Sequence, residues 1–395
     1  MSDDEELYPA PNEEFAADQP VSRLPGDDAT PTSGTALCLS GGGYRAMLFH
    51  VGVLWRLNDA GMLPDLDRVS SVSGGSITAA VLGLGWDSLD FDDDGVAREF
   101  GERVVDPVRR MAGTGIDVSA VLTGLGLPFV SISDRVIKAY KRHLFGKATL
   151  QDLPDRPRFV INATNLESGV LMRFSKPYLA DYRVGQVRDP DLPLAVAVAA
   201  SSAFPPVLSP CTVDLEHEDW VTLPGNDLTG PQFRGEIRLS DGGVYDNLGL
   251  QTAWNRCRTL LVSDAGGHLG ADPSPATDWA RHMARVLFVI DNQVRSLRKR
   301  QVIDAYRSGQ RDGCYLGIRS SVADYHLDGA MPADPAVTMA LAATPTRLDD
   351  LPDERQEMLI NWGYVMTDTG VRKHVRPGLD AGSLPYPDHP LVGHA

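Results

Sequence analysis

Ala36-Leu-Cys-Leu-Ser-Gly-Gly-Gly-Tyr-Arg45 is the stretch on which the fold turns. Residues 36–39 read as a short apolar strand, and Gly41, Gly42 and Gly43 follow as a turn. From 45 to 60 the apolar residues Met47, Leu48, Val51, Leu54 and Leu57 recur at helical spacing, and Gly61 is placed to stop the helix. The unit repeats in kind. Residues 68–72 are strand-like, Ser73-Gly74-Gly75 turns, and residues 76–84 read as a helix rich in small side chains. Further strands are expected at 158–162, 171–174, 237–239 and 259–262, and further helices at 134–144, 194–200 and 278–306. Strands alternating with helices predict an α/β fold, a three-layer α/β/α sandwich with a mostly parallel central sheet. In such sheets chemistry gathers at the carboxyl ends of strands.

The chain has 395 residues, 43% of them hydrophobic, enough to bury a sizeable core. Its formal net charge of −16 repels phosphate backbones on average and argues against nucleic acid as a partner. Half of that charge lies in residues 1–34, where nine acids face Arg23 alone. This stretch lacks an apolar period and is expected to be a disordered tail. Residues 35–315 read as the main domain, 86–133 as an insertion or lid candidate within it, and 316–395 as a C-terminal extension packed on it. The insertion opens with Asp87, Asp90, Asp92, Asp93 and Asp94, and contains the glycine-broken apolar run of residues 121–130. Cys38, Cys211, Cys257 and Cys314 are widely separated, so neither a zinc site nor a disulfide framework is indicated. No apolar run reaches 18 residues and the N-terminus lacks a signal-like apolar core, so the cytoplasm is the expected location.

Three glycine-bearing turns carry the chemistry. In Ser40-Gly-Gly-Gly-Tyr-Arg45, bare glycines let several N–H groups point into one space ahead of a helix N-terminus. That nest suits a developing oxyanion or a phosphate, and Arg45 adds a charged fork. The same loop also fits a loose dinucleotide fingerprint, Gly41-x-Gly43-x-x-Ala46, with Asp65 or Asp67 as the ribose acid. Ser71-Val-Ser73-Gly-Gly75 describes a nucleophile elbow, with Ser71 in the place where G-x-S-x-G has glycine. Leu239-Ser-Asp241-Gly-Gly243 places a carboxylate on a glycine turn, again at the end of a strand. Each turn has a bland alternative as a cap or tight turn; the three together form a joint pattern.

With these residues in view, the chain resembles the patatin-like phospholipase family. That family carries a G-G-G-x-R oxyanion loop, a G-x-S-x-G elbow and an Asp-Gly-Gly/Ala dyad acid, in this order. Ser40 to Ala46 is closest to the cytosolic phospholipase A2 branch, whose loop reads S-G-G-G-x-R-A; plant-type patatins have Asp and Gly at the places of Ser40 and Ala46. Asn162-Ala-Thr-Asn-Leu-Glu-Ser-Gly169, Ala199-Ala-Ser-Ser-Ala-Phe-Pro-Pro206 and residues 291–300 are further similar stretches.

The resemblance implies a Ser–Asp dyad, with Ser73 as nucleophile and Asp241 as base. It also implies an oxyanion hole at Gly41, Gly42 and Gly43, with Arg45 on a substrate phosphate. Gly74, Gly75, Gly242 and Gly243 then shape the elbow and the dyad turn. The implied reaction is hydrolysis of phospholipid or lysophospholipid acyl esters without cofactor or metal, in transient peripheral contact with a membrane. Control by a regulatory partner is a further expectation. A lone carboxylate must have a raised pKa to act as base. The alternatives are a soluble carboxylesterase or thioesterase, a histidine triad through His268, or a non-catalytic regulatory module. Asp90 to Gly95 matches the opening of an EF-hand loop but lacks its closing glutamate, so a solvated acidic loop is expected there. The cationic run from Arg295 to Arg300 reads as a solvated helix face or a headgroup contact.

Overall fold

The computed structural model describes residues 32–116 and 132–393. The apolar run at 121–130 and the acidic tail up to residue 31 lie outside them.

Strand β1 (Thr32–Leu39) runs into helix α1 (Gly43–Asp59), and β2 (Arg68–Val72) into α2 (Gly74–Gly85). These are the two strand–turn–helix units expected from the sequence. They join β3 (Arg158–Asn165), β10 (Cys257–Asp264) and β11 (Asp312–Gly317) in a parallel half-sheet of order β11-β10-β1-β2-β3. Beyond β3 the sheet continues as an antiparallel meander of β4 (Leu171–Ser175), β5 (Tyr178–Asp181), β6 (Gly185–Arg188) and β8 (Trp220–Val221). Connections of a few residues, such as Lys176-Pro177, can join only antiparallel neighbours. Strands β5, β6, β8 and β11, and β7 (Cys211–Asp214), were not expected; all but β11 have four residues or fewer.

Alternation along the parallel strands separates two cores. Leu37, Leu39 and Leu261 enter the core on one face, while Ala36, Cys38, Leu260 and Val262 enter the other. Helices therefore cover both faces, which makes the three-layer α/β/α sandwich. The last long helix, Asp353–His374, packs on α1. The two backbones touch at paired glycines: a Cβ on Gly52 would lie 1.9 Å from the Ile360 carbonyl, and one on Gly363 would lie 1.9 Å from that of Phe49. A buried Arg56–Asp368 ion pair of 2.9 Å locks the crossing. All four cysteines are free and buried.

Strand β9 (Glu236–Asp241) decides the site. Along one edge of β3, β2 pairs with the first part of that strand, parallel, and β9 with the last part, antiparallel. The two strands therefore run toward each other and meet end to end, with Val72 opposite Asn162 and Asp241 opposite Ala163.

Candidate active site

Ser73 follows β2 directly and turns the chain into α2 with φ 53° and ψ −121°, a conformation an L side chain rarely adopts. Its neighbours explain how that strain is held. A Cβ on Gly74 would lie 2.2 Å from the Gly43 carbonyl, and one on Gly75 2.5 Å from that of Leu39, so only glycine fits between the two strand–helix units. The Ser73 N–H donates to Ser201 Oγ at 2.9 Å. Ser201 Oγ also donates to the Asn162 carbonyl at 2.6 Å and lies 2.9 Å from Ser76 Oγ. Ser201 thus bolts the elbow to β3.

Asp241 ends β9 with its N–H on the Ala203 carbonyl (2.9 Å), and its own carbonyl accepts the Thr164 hydroxyl (2.8 Å). Its carboxylate is buried. Oδ1 accepts the Gly243 N–H at 2.7 Å, while Oδ2 has no hydrogen-bond partner. Burial raises its pKa to about 7; the Gly243 N–H and the nearby Ser73 hydroxyl oppose the rise, and Asp291 adds to it. The Ser73 hydroxyl is thus close enough to favour the ionised carboxylate without closing a bond to Oδ2, as is common in resting sites. Gly242 closes the turn against β3, where a Cβ would lie 2.3 Å from the Asn162 carbonyl.

The glycine loop lies beside this pair. A Cβ on Gly41 would stand 3.1 Å from that of Ser73. Gly42 has φ 147° and Gly43 φ 59°, both in glycine territory. The Gly42 and Gly43 N–H groups have no acceptor among the described residues, and α2 adds the positive end of its dipole. Gly41 departs from its expected role: its N–H is spent on the Asn247 carbonyl at 3.1 Å, so it spaces the loop. The loop is sewn to β10 through Ser40, whose Oγ accepts the Ala265 N–H, and through His50, held between Ser263 Oγ (2.8 Å) and the Ser40 carbonyl (2.9 Å).

Arg45 does not serve as expected either. Its guanidinium is buried and donates to the carbonyls of Ala342 (3.0 Å), Thr344 (2.8 Å) and Ala265 (2.7 Å). It clamps the C-terminal segment over the glycine loop, where Tyr44 N–H also meets the Arg347 carbonyl. A fork committed to three carbonyls has little left for a substrate phosphate.

The competing readings also find their places. Asp67 precedes β2, accepts the Thr35 N–H and pairs with Arg156, while Asp65 pairs with Arg376. Both acids sit at the wrong end of that strand to reach a ribose above the glycine loop. His268 is exposed, and neither it nor His50 is hydrogen-bonded to Ser73 or Asp241. The Asp92 carboxylate accepts the N–H groups of Asp94 and Val96, closing a local turn. Sequence reasoning missed Ser201 and Asn247 as site residues. Ser201 lay in a quoted stretch, but small polar residues in a helix are common and nothing local marks one as a bolt. Asn247 spans the site, with Oδ1 against both Gly41 and Gly243 and Nδ2 buried without a partner.

A strained serine at a strand–helix turn, a buried carboxylate beside it and unpaired amides next to both are the groups that acyl transfer can use. The family comparison adds an independent finding. Residues 37–254, more than half of the chain, match the model of the patatin-like phospholipases, and the chain belongs to that family. No curated protein matches its sequence. Among solved structures, human GIVD cytosolic phospholipase A2 is 13% identical with a TM-score of 0.48; the match covers 87% of this chain and 59% of that one. This chain thus spans about three fifths of that enzyme's solved chain. VipD from Legionella pneumophila is 15% identical with a TM-score of 0.37, covering 88% and 68%. ExoU from Pseudomonas aeruginosa, solved with SpcU, is 14% identical with a TM-score of 0.25, covering 89% and 83%.

Proposed function

We propose that this chain is a lipid acyl hydrolase that cleaves phospholipid or lysophospholipid esters through Ser73 and Asp241. One observation carries the reading: two strands meeting head-on beside β3 bring a strained hydroxyl to a buried carboxylate with a pKa of about 7. In the mechanism, Asp241 takes the Ser73 proton as Oγ attacks the ester carbonyl. The tetrahedral oxyanion sits against the Gly42 and Gly43 N–H groups; one such donor is worth about 10²–10³ in rate. Collapse breaks the C–O bond, and protonated Asp241 returns its proton to the departing alcohol. Water, deprotonated by the same carboxylate, then releases the fatty acid from the acyl-enzyme. The segment after residue 316 belongs to the working unit, since Ala342, Thr344 and Arg347 hold Arg45 and the glycine loop. The reaction takes place at a membrane surface facing the cytoplasm, and control by a partner remains part of the proposal.

The commitment of Arg45 favours a second reading, hydrolysis of acyl esters without a phosphate. Turnover of a lipid extract by wild type and Ser73→Ala, read by mass spectrometry, decides between them. Fatty acid released together with lysophospholipid supports the first reading, and loss of neutral esters alone supports the second. A wild type that matches Ser73→Ala, and takes no fluorophosphonate adduct on Ser73, excludes both.

A further inference from the structure

Over most of its length the helix Trp279–Arg307 turns its apolar side outward. A helix on a globular body normally lays its apolar stripe on the core and its charges in water. Here Trp279, Met283, Leu287, Ile290, Val294 and Leu297 follow at spacings of three and four, forming one stripe, and each is between 40% and 79% exposed. The opposite side faces the protein with polar groups. Arg295 is buried there and pairs with Asp291 at 3.2 Å, and Lys299 pairs with buried Asp264 at 2.6 Å. Phe288 also stacks on Phe204 there, at 6.3 Å with 6° between the ring planes, and farther along Val302 and Ala305 are buried.

We propose that this outward stripe is the surface by which the protein docks on an anionic lipid bilayer. The inference rests on the lipid-hydrolase reading and names the surface that serves it. Three observations select the occupant. First, the helix is cationic in an acidic chain: Arg298 and Arg300, one on either side of the stripe, have no carboxylate partner among the described residues. A stripe of this kind flanked by cations fits an interface of apolar tails and anionic headgroups. Second, the same flanks disfavour a second copy of this chain laid parallel on the stripe, because that pairing would oppose arginine to arginine. Third, the helix under the stripe packs beside the dyad. Phe204 is exposed and follows Ala203, whose carbonyl holds the Asp241 N–H, and exposed Val244 follows Gly243, which donates to Asp241. Through Phe288 on Phe204, the helix that bears the stripe is therefore seated against the site's own turn. Among the described residues no helix is long and apolar enough to cross a membrane, so the contact is one of lying on the surface.

The test uses the full chain carrying Ser73→Ala, so that vesicles survive the assay, with and without Leu287→Ser, Ile290→Ser and Leu297→Ser combined. All three side chains are exposed, so the fold should persist; circular dichroism checks it. With vesicles of phosphatidylcholine and phosphatidylserine, cosedimentation should fall at least about tenfold in the triple variant. Vesicles of phosphatidylcholine alone, or added salt, should weaken binding of the parent. Parent and triple variant binding alike would overturn the proposal. So would a parent that ignores vesicles but forms a dimer which the triple variant dissolves in sedimentation velocity, since the occupant would then be a second copy. Hydrolysis of a short soluble ester, measured with Ser73 restored, separates the two layers. Vesicle binding without ester turnover sinks the hydrolase reading and leaves the docking surface standing.

Discussion

Val72 and Asp241 face consecutive residues of one strand: Val72 pairs with Asn162 and Asp241 with Ala163, from strands that run in opposite directions. The residue after Val72 is Ser73. The proposed nucleophile and base therefore owe their meeting to the backbone register on β3, and neither depends on a flexible loop. Asn162 ties the junction further, donating from Nδ2 to the Ser71 carbonyl at 2.9 Å.

The first prediction concerns the pair itself. Ser73→Ala should abolish turnover, and Asp241→Asn should lower it by roughly 10²–10⁴, the usual worth of a positioned general base. Both proteins should stay folded, since Asn can still accept the Gly243 N–H. Steady-state kinetics on a soluble ester measures this. An Asp241→Asn enzyme of unchanged rate would remove Asp241 as the base.

The pH dependence follows from burial. Asp241 must be ionised to act, so activity should rise as the pH passes about 7. The sign for stability is opposite. A carboxyl whose folded pKa is raised from 3.8 to about 7 contributes stability that is full below pH 4 and lost as the pH climbs through 7. Asp241→Asn should therefore melt higher than wild type at pH 8 and show little difference at pH 4. Equal melting at both pH values would mean that the carboxylate is not strained by burial.

Ser201 should matter without touching the ester. Ser201→Ala removes the acceptor for the Ser73 N–H and the donor to the Asn162 carbonyl, at a cost of about 1–3 kcal/mol for buried groups left unpaired. Thermal melts and kcat should both fall. A variant that keeps its melting temperature while kcat falls would assign Ser201 a role beyond holding the elbow.

The glycine loop gives a graded pair. Gly43→Ala places a methyl 2.6 Å from the Arg347 carbonyl at φ 59°, and Gly42→Ala places one 2.6 Å from that of Ala265 at φ 147°. Each should cost about 1–3 kcal/mol through backbone strain and displaced carbonyls. Each should also lower kcat more than it raises KM, because the unpaired N–H groups move. Chemical denaturation beside kinetics separates the two effects.

Arg45 provides the control. Arg45→Met should lower stability by freeing the carbonyls of Ala342, Thr344 and Ala265. The ratio of phospholipid to neutral-ester turnover should stay the same. A selective loss of phospholipid turnover would restore the phosphate role that the motif implies.

The local parts could be read from the residues alone. Strand, turn and helix at Ala36–Ala60 and at Arg68–Gly85 follow from apolar period and glycine placement, and those units carry three of the proposed chemical groups. Asp241 was legible as a carboxylate on a glycine turn. Which groups remain free to act depends on contacts made in the folded chain. The Gly41 N–H and the Arg45 fork are spent on carbonyls from Asn247, Ala265, Ala342 and Thr344, residues two hundred or more positions away in the chain. Hydrogen-bond partners of that separation leave no mark on local spacing. The outward stripe of Trp279–Arg307 belongs with them, because period fixes that a helix has an apolar side, while packing alone fixes where that side points.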